Sequence, residues 1–176
     1  MQRPSLRSEL RQHTEGVHRS LDTLVGPFDG LASYGAFLVN TYRFRQMVEP
    51  ALASGLSWSP QYLLPELRLD LEDLQLRPEA GPVPAHELPD EAARVGALYV
   101  LEGSALGARV LLQRAVALGL DASRGARHLA KQAADPSRWR DFLGFLEQRQ
   151  DLDRSATLAA AHSIFDTAIA VYSGAK

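Results

Sequence analysis

A chain of 176 residues with 45% hydrophobic and 23% charged residues has the composition of an ordinary globular protein, and its length suits one core. The formal net charge of -2 gives no general attraction to nucleic acid, and the absence of cysteine excludes disulfides, thiolate metal sites and cysteine nucleophiles, leaving histidine as the leading metal ligand. The opening MQRPSLRSELRQH has no apolar secretory stretch and no later run approaches bilayer length, so a cytoplasmic protein without a membrane partner is expected.

From Ser5 the apolar residues Leu6, Leu10, Val17, Leu21 and Leu24 recur every three or four positions, which predicts a first helix running to about Leu24. Gly26-Pro27 and Asp29-Gly30 then punctuate the chain. Ser33 is placed to cap a second helix carrying Phe37, Leu38, Tyr42, Phe44 and Val48 and ending near Gly55. The proline-bearing stretch from Ser57 to Pro89 reads as a packed connection with one short helical piece, PELRLDLEDL. Leu88-Pro89-Asp90 opens the most apolar helix, in which Ala93, Ala97, Leu98, Leu101, Ala105, Val110, Leu111 and Ala115 lead up to Gly119. Asp135-Pro136 opens another with Trp139, Phe142, Leu143 and Leu146, and Ser155 is expected to cap a last one with Leu158, Ile164, Phe165, Ile169 and Val171. No strand pattern, internal repeat or dinucleotide-binding glycine pattern competes. The fold class is therefore all-α, a single compact multi-helix domain over residues 1–176.

Two features carry chemistry. His18 follows Val17 and precedes Leu21 and Asp22, so a helix sets it at the edge of the buried face with a carboxylate one turn on at i+4. A neutral imidazole becomes a good iron ligand when its second nitrogen is fixed by such a partner, although a partly buried, hydrogen-bonded histidine has the same pattern. The second feature is Gly103-Ser104-Ala105-Leu106-Gly107 inside the strongest helix, where each glycine costs about 1 kcal/mol relative to alanine. Glycines at i and i+4 share a face and admit either a flat ligand or a tightly crossing helix.

LRQHTEGVHRSLDTL resembles the proximal-helix sequence of haem oxygenases, and LYVLEGSALGARVL resembles their distal helix, most closely that of bacterial members. SYGAFLVNTYRF between them and AHSIFDTAIAVY near the C-terminus fall in the same order, so the similarity spans most of the chain. The resemblance implies haem sandwiched between a proximal N-terminal helix and a glycine-bent distal helix. His18 is then the axial iron ligand, Asp22 its hydrogen-bond acceptor, and Gly103, Ser104 and Gly107 the distal residues. It also implies haem contacts from Thr14, Tyr42 and Phe165. Animal-type members carry an aspartate after the first distal glycine, where this chain has Ser104. Glu102 is the nearest acid and is read as a solvated or helix-paired carboxylate.

The haem carboxylates call for cations at the pocket mouth. Arg11, two turns before His18, comes first, followed by Arg138 and Arg140, each of which equally suits a solvated surface. The activity implied takes haem b as both cofactor and substrate and yields biliverdin, carbon monoxide and iron from O2 and electrons. No flavin or nicotinamide motif is present, so an external donor is needed: a ferredoxin, a flavoprotein reductase, or ascorbate in vitro. A biliverdin acceptor protein is a further implied partner. A non-catalytic haem carrier or sensor on the same fold would show the same site residues. A thiaminase-like relative would need a cysteine, and a di-iron bundle would need paired Glu-x-x-His motifs, of which only Glu15-x-x-His18 is present.

Overall fold

The computed structural model describes residues 4–53, 56–78 and 83–174, and among them the regular structure is helical. Helix α1 (Leu6–Val25) starts at Ser5, whose side chain accepts the Ser8 N–H, and buries Leu6, Leu10 and Thr14. Its end requires glycine, since Gly26 takes φ 59° to return its N–H to Asp22 O. Helix α2 (Leu31–Val48) begins at Gly30, three residues before the expected cap. Ser33 lies inside the first turn, where its hydroxyl accepts the Gly30 N–H and donates to Gly30 O. Pro50 cannot continue the α-helical ladder, and the chain tightens into a 3-10 turn over Glu49–Leu52. The expected end near Gly55 lies outside the described residues.

Helix α3 (Leu64–Asp73) matches the short helical piece of the connection. The long apolar helix divides into α4 (Glu91–Gly103), capped by Asp90, and α5 (Ala105–Ala117). Taken together, Glu91–Ala117 is long and apolar enough to cross a bilayer by length and composition, which corrects the expectation that no such run exists. Within this fold α4 packs along α8 (Arg154–Tyr172) and buries Val95, Ala97, Leu98 and Leu101. Between α5 and α8 lie α6 (Arg127–Ala133), which the apolar spacing does not reveal, and α7 (Arg138–Gln148). The α8 cap is Asp153, not Ser155: its Oδ1 accepts the Ala156 N–H, and Ser155 only bonds back to it.

Two apolar clusters form the interior. One joins Leu6 and Leu10 of α1 with α4, α7 and α8, and the other joins Tyr34, Phe37 and Leu38 of α2 with α3, α5 and α6. α4 crosses α8 tightly at Gly96, where an added Cβ would overlap Thr157 O and stand 3.0 Å from Ala161 N. Both neighbours are backbone atoms that cannot yield. Gly96→Ala should therefore destabilise the protein by about 3 kcal/mol despite alanine's better helix propensity, as read by thermal melting. A melt at the wild-type temperature would refute this crossing.

Candidate functional site

α1 turns its second half outward. His18 is 57% exposed, its Nδ1 lies 3.0 Å from Asp22 Oδ2, and its ring meets Phe165 of α8 edge-on at 5.7 Å between centroids. With Nδ1–H donated to Asp22, the lone pair resides on Nε2, the arrangement found in metal-binding histidines. Phe165 is itself only 4% exposed, so the imidazole rests on a fixed apolar floor.

α5 is mostly exposed, with Leu106 and Val110 on its surface and only Ala108 and Ala115 buried. Its exposed apolar side chains form a face that intramolecular packing does not cover. Its C-terminal half is tied to the end of α1 by Arg114 Nη1, which donates to Gly26 O at 3.1 Å. The two glycines do not share one open face as expected. A Cβ on Gly103 would meet Trp139 Cη2 at 3.4 Å, whereas one on Gly107 would meet nothing within 4 Å. The interruption falls on Ser104 between them. Its hydroxyl donates to Leu101 O at 2.6 Å, and such back-bonding bends helices. Gln132 Nε2 of α6 donates to Ser104 Oγ at 2.8 Å, so the hydroxyl at the bend has a fixed orientation.

Behind this bend lie buried ionic groups that the sequence reading missed. Asp70 of α3 is fully buried and accepts from the backbone N–H groups of Arg127 and His128 and from His128 Nδ1 at 2.8 Å. Arg127 bridges Asp70 and Asp73. Burial opposes the Asp70 charge, but these hydrogen bonds outweigh it and hold the carboxyl below its ordinary range. Burial also pushes His128 down against the pull of Asp70, so the ring is neutral, and its Nε2 is buried with no hydrogen-bond partner. One turn further along α6 is Gln132, the partner of Ser104.

A depressed histidine pKa has a definite consequence for stability. The unfolded chain takes up a proton near pH 6.5 that folded His128 refuses, so stability is complete above that pH and falls below it, by at most about 1.4 kcal/mol per pH unit. His128→Asn should remove this component of the slope in urea unfolding measured between about pH 7 and pH 5. Equal slopes in the two proteins would show that His128 titrates normally in the fold.

The remaining predicted residues are dispersed. Glu102 is not solvated: it is 3% exposed, receives Arg138 through Nε and Nη2 at 2.6 Å each, and accepts Trp58 Nε1 at 3.0 Å. Arg138, placed in sequence as a candidate for the haem carboxylates or a solvated surface, is paired here with the buried Glu102 carboxylate and with Ser59 O. Arg140 is exposed and reaches Asp141 at 3.4 Å, while Arg11 is exposed beside Tyr99. Thr14 faces the interior, where its hydroxyl donates to Leu10 O and contacts Tyr99. Tyr42 is half-buried, and its hydroxyl accepts from Gln46 and Arg68. Among the described residues, no group of three or more histidine or carboxylate side chains is arranged to hold a metal ion. An open groove of about 410 Å³ lined by Leu52, Leu56, Trp58 and Tyr62 shares no residue with the His18 or Gly107 surfaces.

No family model matches the chain. The "Heme oxygenase PigA" of Pseudomonas aeruginosa is 32% identical over 173 aligned positions, covering 90% of this chain and 86% of that protein. The "Heme oxygenase" of Xanthomonas campestris pv. campestris is 35% identical over 114 positions, covering 63% of this chain and 67% of that one. The crystal structure of the NO- and CO-bound heme oxygenase of Neisseria meningitidis superposes with a TM-score of 0.74 at 25% identity, over 98% of this chain and 92% of that one. With an identity above 30% sustained along nearly its whole length and a matching helical fold, this chain belongs to the haem oxygenase family.

Proposed function

We propose that the chain, acting as one haem oxygenase-like domain in the cytoplasm, holds haem b through His18 and degrades it to biliverdin, carbon monoxide and iron. Family membership supports the activity. The observation that carries the site is His18 itself, with Nδ1 on Asp22 and its other nitrogen free beside the buried Phe165 ring. The residues present fit the group: an iron-ligating nitrogen on α1, and on α5 an exposed apolar face with open space at Gly107. When bound, haem supplies both the redox-active iron and the macrocycle that is opened.

The protein's own residues bind, orient and exclude. Asp22 fixes the His18 tautomer and ring direction. Gly107 leaves open space beside the α5 backbone that would admit a flat ligand, and Leu106, Val110 and Phe165 would offer it apolar contact. Gly103 acts through Trp139, which packs where a side chain would otherwise stand. At the bend the Ser104 proton is held on Leu101 O, and the Ser104 oxygen accepts from Gln132, so this hydroxyl offers a lone pair at a fixed place. Arg11 and Arg140, both exposed, are the cations open to the haem carboxylates. Electrons enter from an external ferredoxin or flavoprotein reductase, and a biliverdin acceptor protein takes the product.

Haem titration followed by ascorbate-driven turnover under O2 and pigment chromatography tests the activity. The Soret band should disappear as biliverdin absorption grows, and the pigment isomer reports which meso carbon is opened. A Soret band that persists under reductant and O2 would make the protein a carrier or sensor.

A further inference from the structure

α1 and α8 bring a second pair of imidazoles together, separate from His18. His13 and His162 have ring centroids 5.2 Å apart with planes inclined at 60°. Two imidazoles sharing one metal, each at an N–metal distance of about 2.1 Å, place their centroids about 5 Å apart at tetrahedral or octahedral angles. The nitrogens of His162 are also distinct. Its Nε2 stands 3.7 Å from Asp166 Oδ2, one turn on, while its Nδ1 is buried without a hydrogen-bond partner. The Asp166 carboxylate is within ion-pair range of one nitrogen, and the other nitrogen has no protein partner to claim it, as a ligating nitrogen requires. An orphaned nitrogen at a helix contact otherwise wastes a polar group that most folds satisfy.

We propose that His13 and His162 bind a divalent first-row transition ion, with Asp166 positioning His162 and with the remaining coordination positions left to water. Imidazole nitrogen suits zinc, copper, nickel and iron, and two protein ligands make a site that exchanges its ion readily. The physiological occupant assigned here is the iron(II) set free by haem degradation, an identification that rests on the activity proposed above. The binding itself does not depend on that activity. His13 sits on α1 five residues before His18, so the pair lies on the same two helices that hold His18 and Phe165.

Metal-free full-length protein without haem should bind one Zn2+ per chain in calorimetric titration. His13→Ala and His162→Ala should each weaken that binding at least tenfold, and His18→Ala should leave it unchanged. Asp166→Asn should weaken it about tenfold. With Co2+ as probe, the large contact shifts of directly ligating rings should fall on the His13 and His162 signals and not on those of His18 or His128. Because His13 is exposed, His13→Ala keeps the test readable even if His162→Ala fails to fold. Absence of Zn2+ binding by the wild type, or undiminished binding by His13→Ala, overturns the site. Haem affinity and turnover of His13→Ala should match the wild type. If turnover were absent from every protein while Zn2+ binding followed this pattern, the activity would fail and the metal site would stand. Anaerobic Fe2+ titration then tests the occupant: affinity lost in His13→Ala supports iron(II), and absence of Fe2+ binding beside intact Zn2+ binding overturns that assignment.

Discussion

His18→Ala is expected to change the ferric-haem spectrum and to lower turnover roughly 100-fold or more, since deleting a ligand should cost at least as much as deleting its hydrogen-bond partner. The apo protein should melt near the wild type. The side chains of His18 and Asp22 are 57% and 67% exposed, so their loss leaves neither a cavity nor a buried unpaired charge. Added imidazole should restore the axial ligand and part of the spectrum, because the site of the missing ring is open to solvent. Asp22→Asn should keep the ligand but weaken haem binding about tenfold by loosening the tautomer and the ring direction. His13 is the nearest competitor in sequence, yet its ring is set against His162 instead of Phe165. A His18→Ala protein with the wild-type spectrum, together with a His13→Ala protein that loses it, would transfer the ligand to His13.

How far these features could be read from the residues follows from where the relevant information sits. α1 and α7 carry apolar side chains at helical spacing against a polar remainder, so their existence and inward faces are legible, whereas α8 is apolar on most sides and only its existence is. α6 has only seven residues, RHLAKQA, and its inward face is held by His128 and Gln132 as much as by Leu129, so hydrophobic spacing is blind to it. The caps were misread where two polar residues compete. Asp153 and Ser155 stand two apart, and only the backbone direction decides which accepts the Ala156 N–H. Arg138 and Glu102 are 36 positions apart and pair through the folding of α7 onto α4, which no local pattern contains. Asp70 was accessible in principle: it lies three residues after Leu67 and one before Leu71, on the apolar face of α3, where a carboxylate must be buried and partnered. A lone glycine in AARVGALYV carries no spacing signal, yet Gly96 makes the tight backbone crossing that the Gly103 and Gly107 spacing suggests.

Gly107→Leu separates the last two readings of the distal segment. In the apo protein a Cβ at this position meets no atom within 4 Å, so a leucine adds helix propensity of roughly 0.8 kcal/mol without a packing penalty. Melting of the apo variant should therefore equal or slightly exceed that of the wild type. The same leucine occupies the space through which a flat ligand would approach the α5 backbone, next to Leu106 and Val110, and haem affinity should fall by roughly tenfold to a hundredfold. Gly103→Leu supplies the contrast. Its Cβ would already be in contact with Trp139 at 3.4 Å, so the further carbons of leucine have to displace a ring that is stacked on Phe142 and tilted against Tyr99, and overpacking should destabilise the apo protein by about 1–3 kcal/mol. The pair of variants thus sends one loss to ligand binding and the other to folding. Normal haem affinity in Gly107→Leu would remove Gly107 from the site and leave the open α5 face without its proposed occupant.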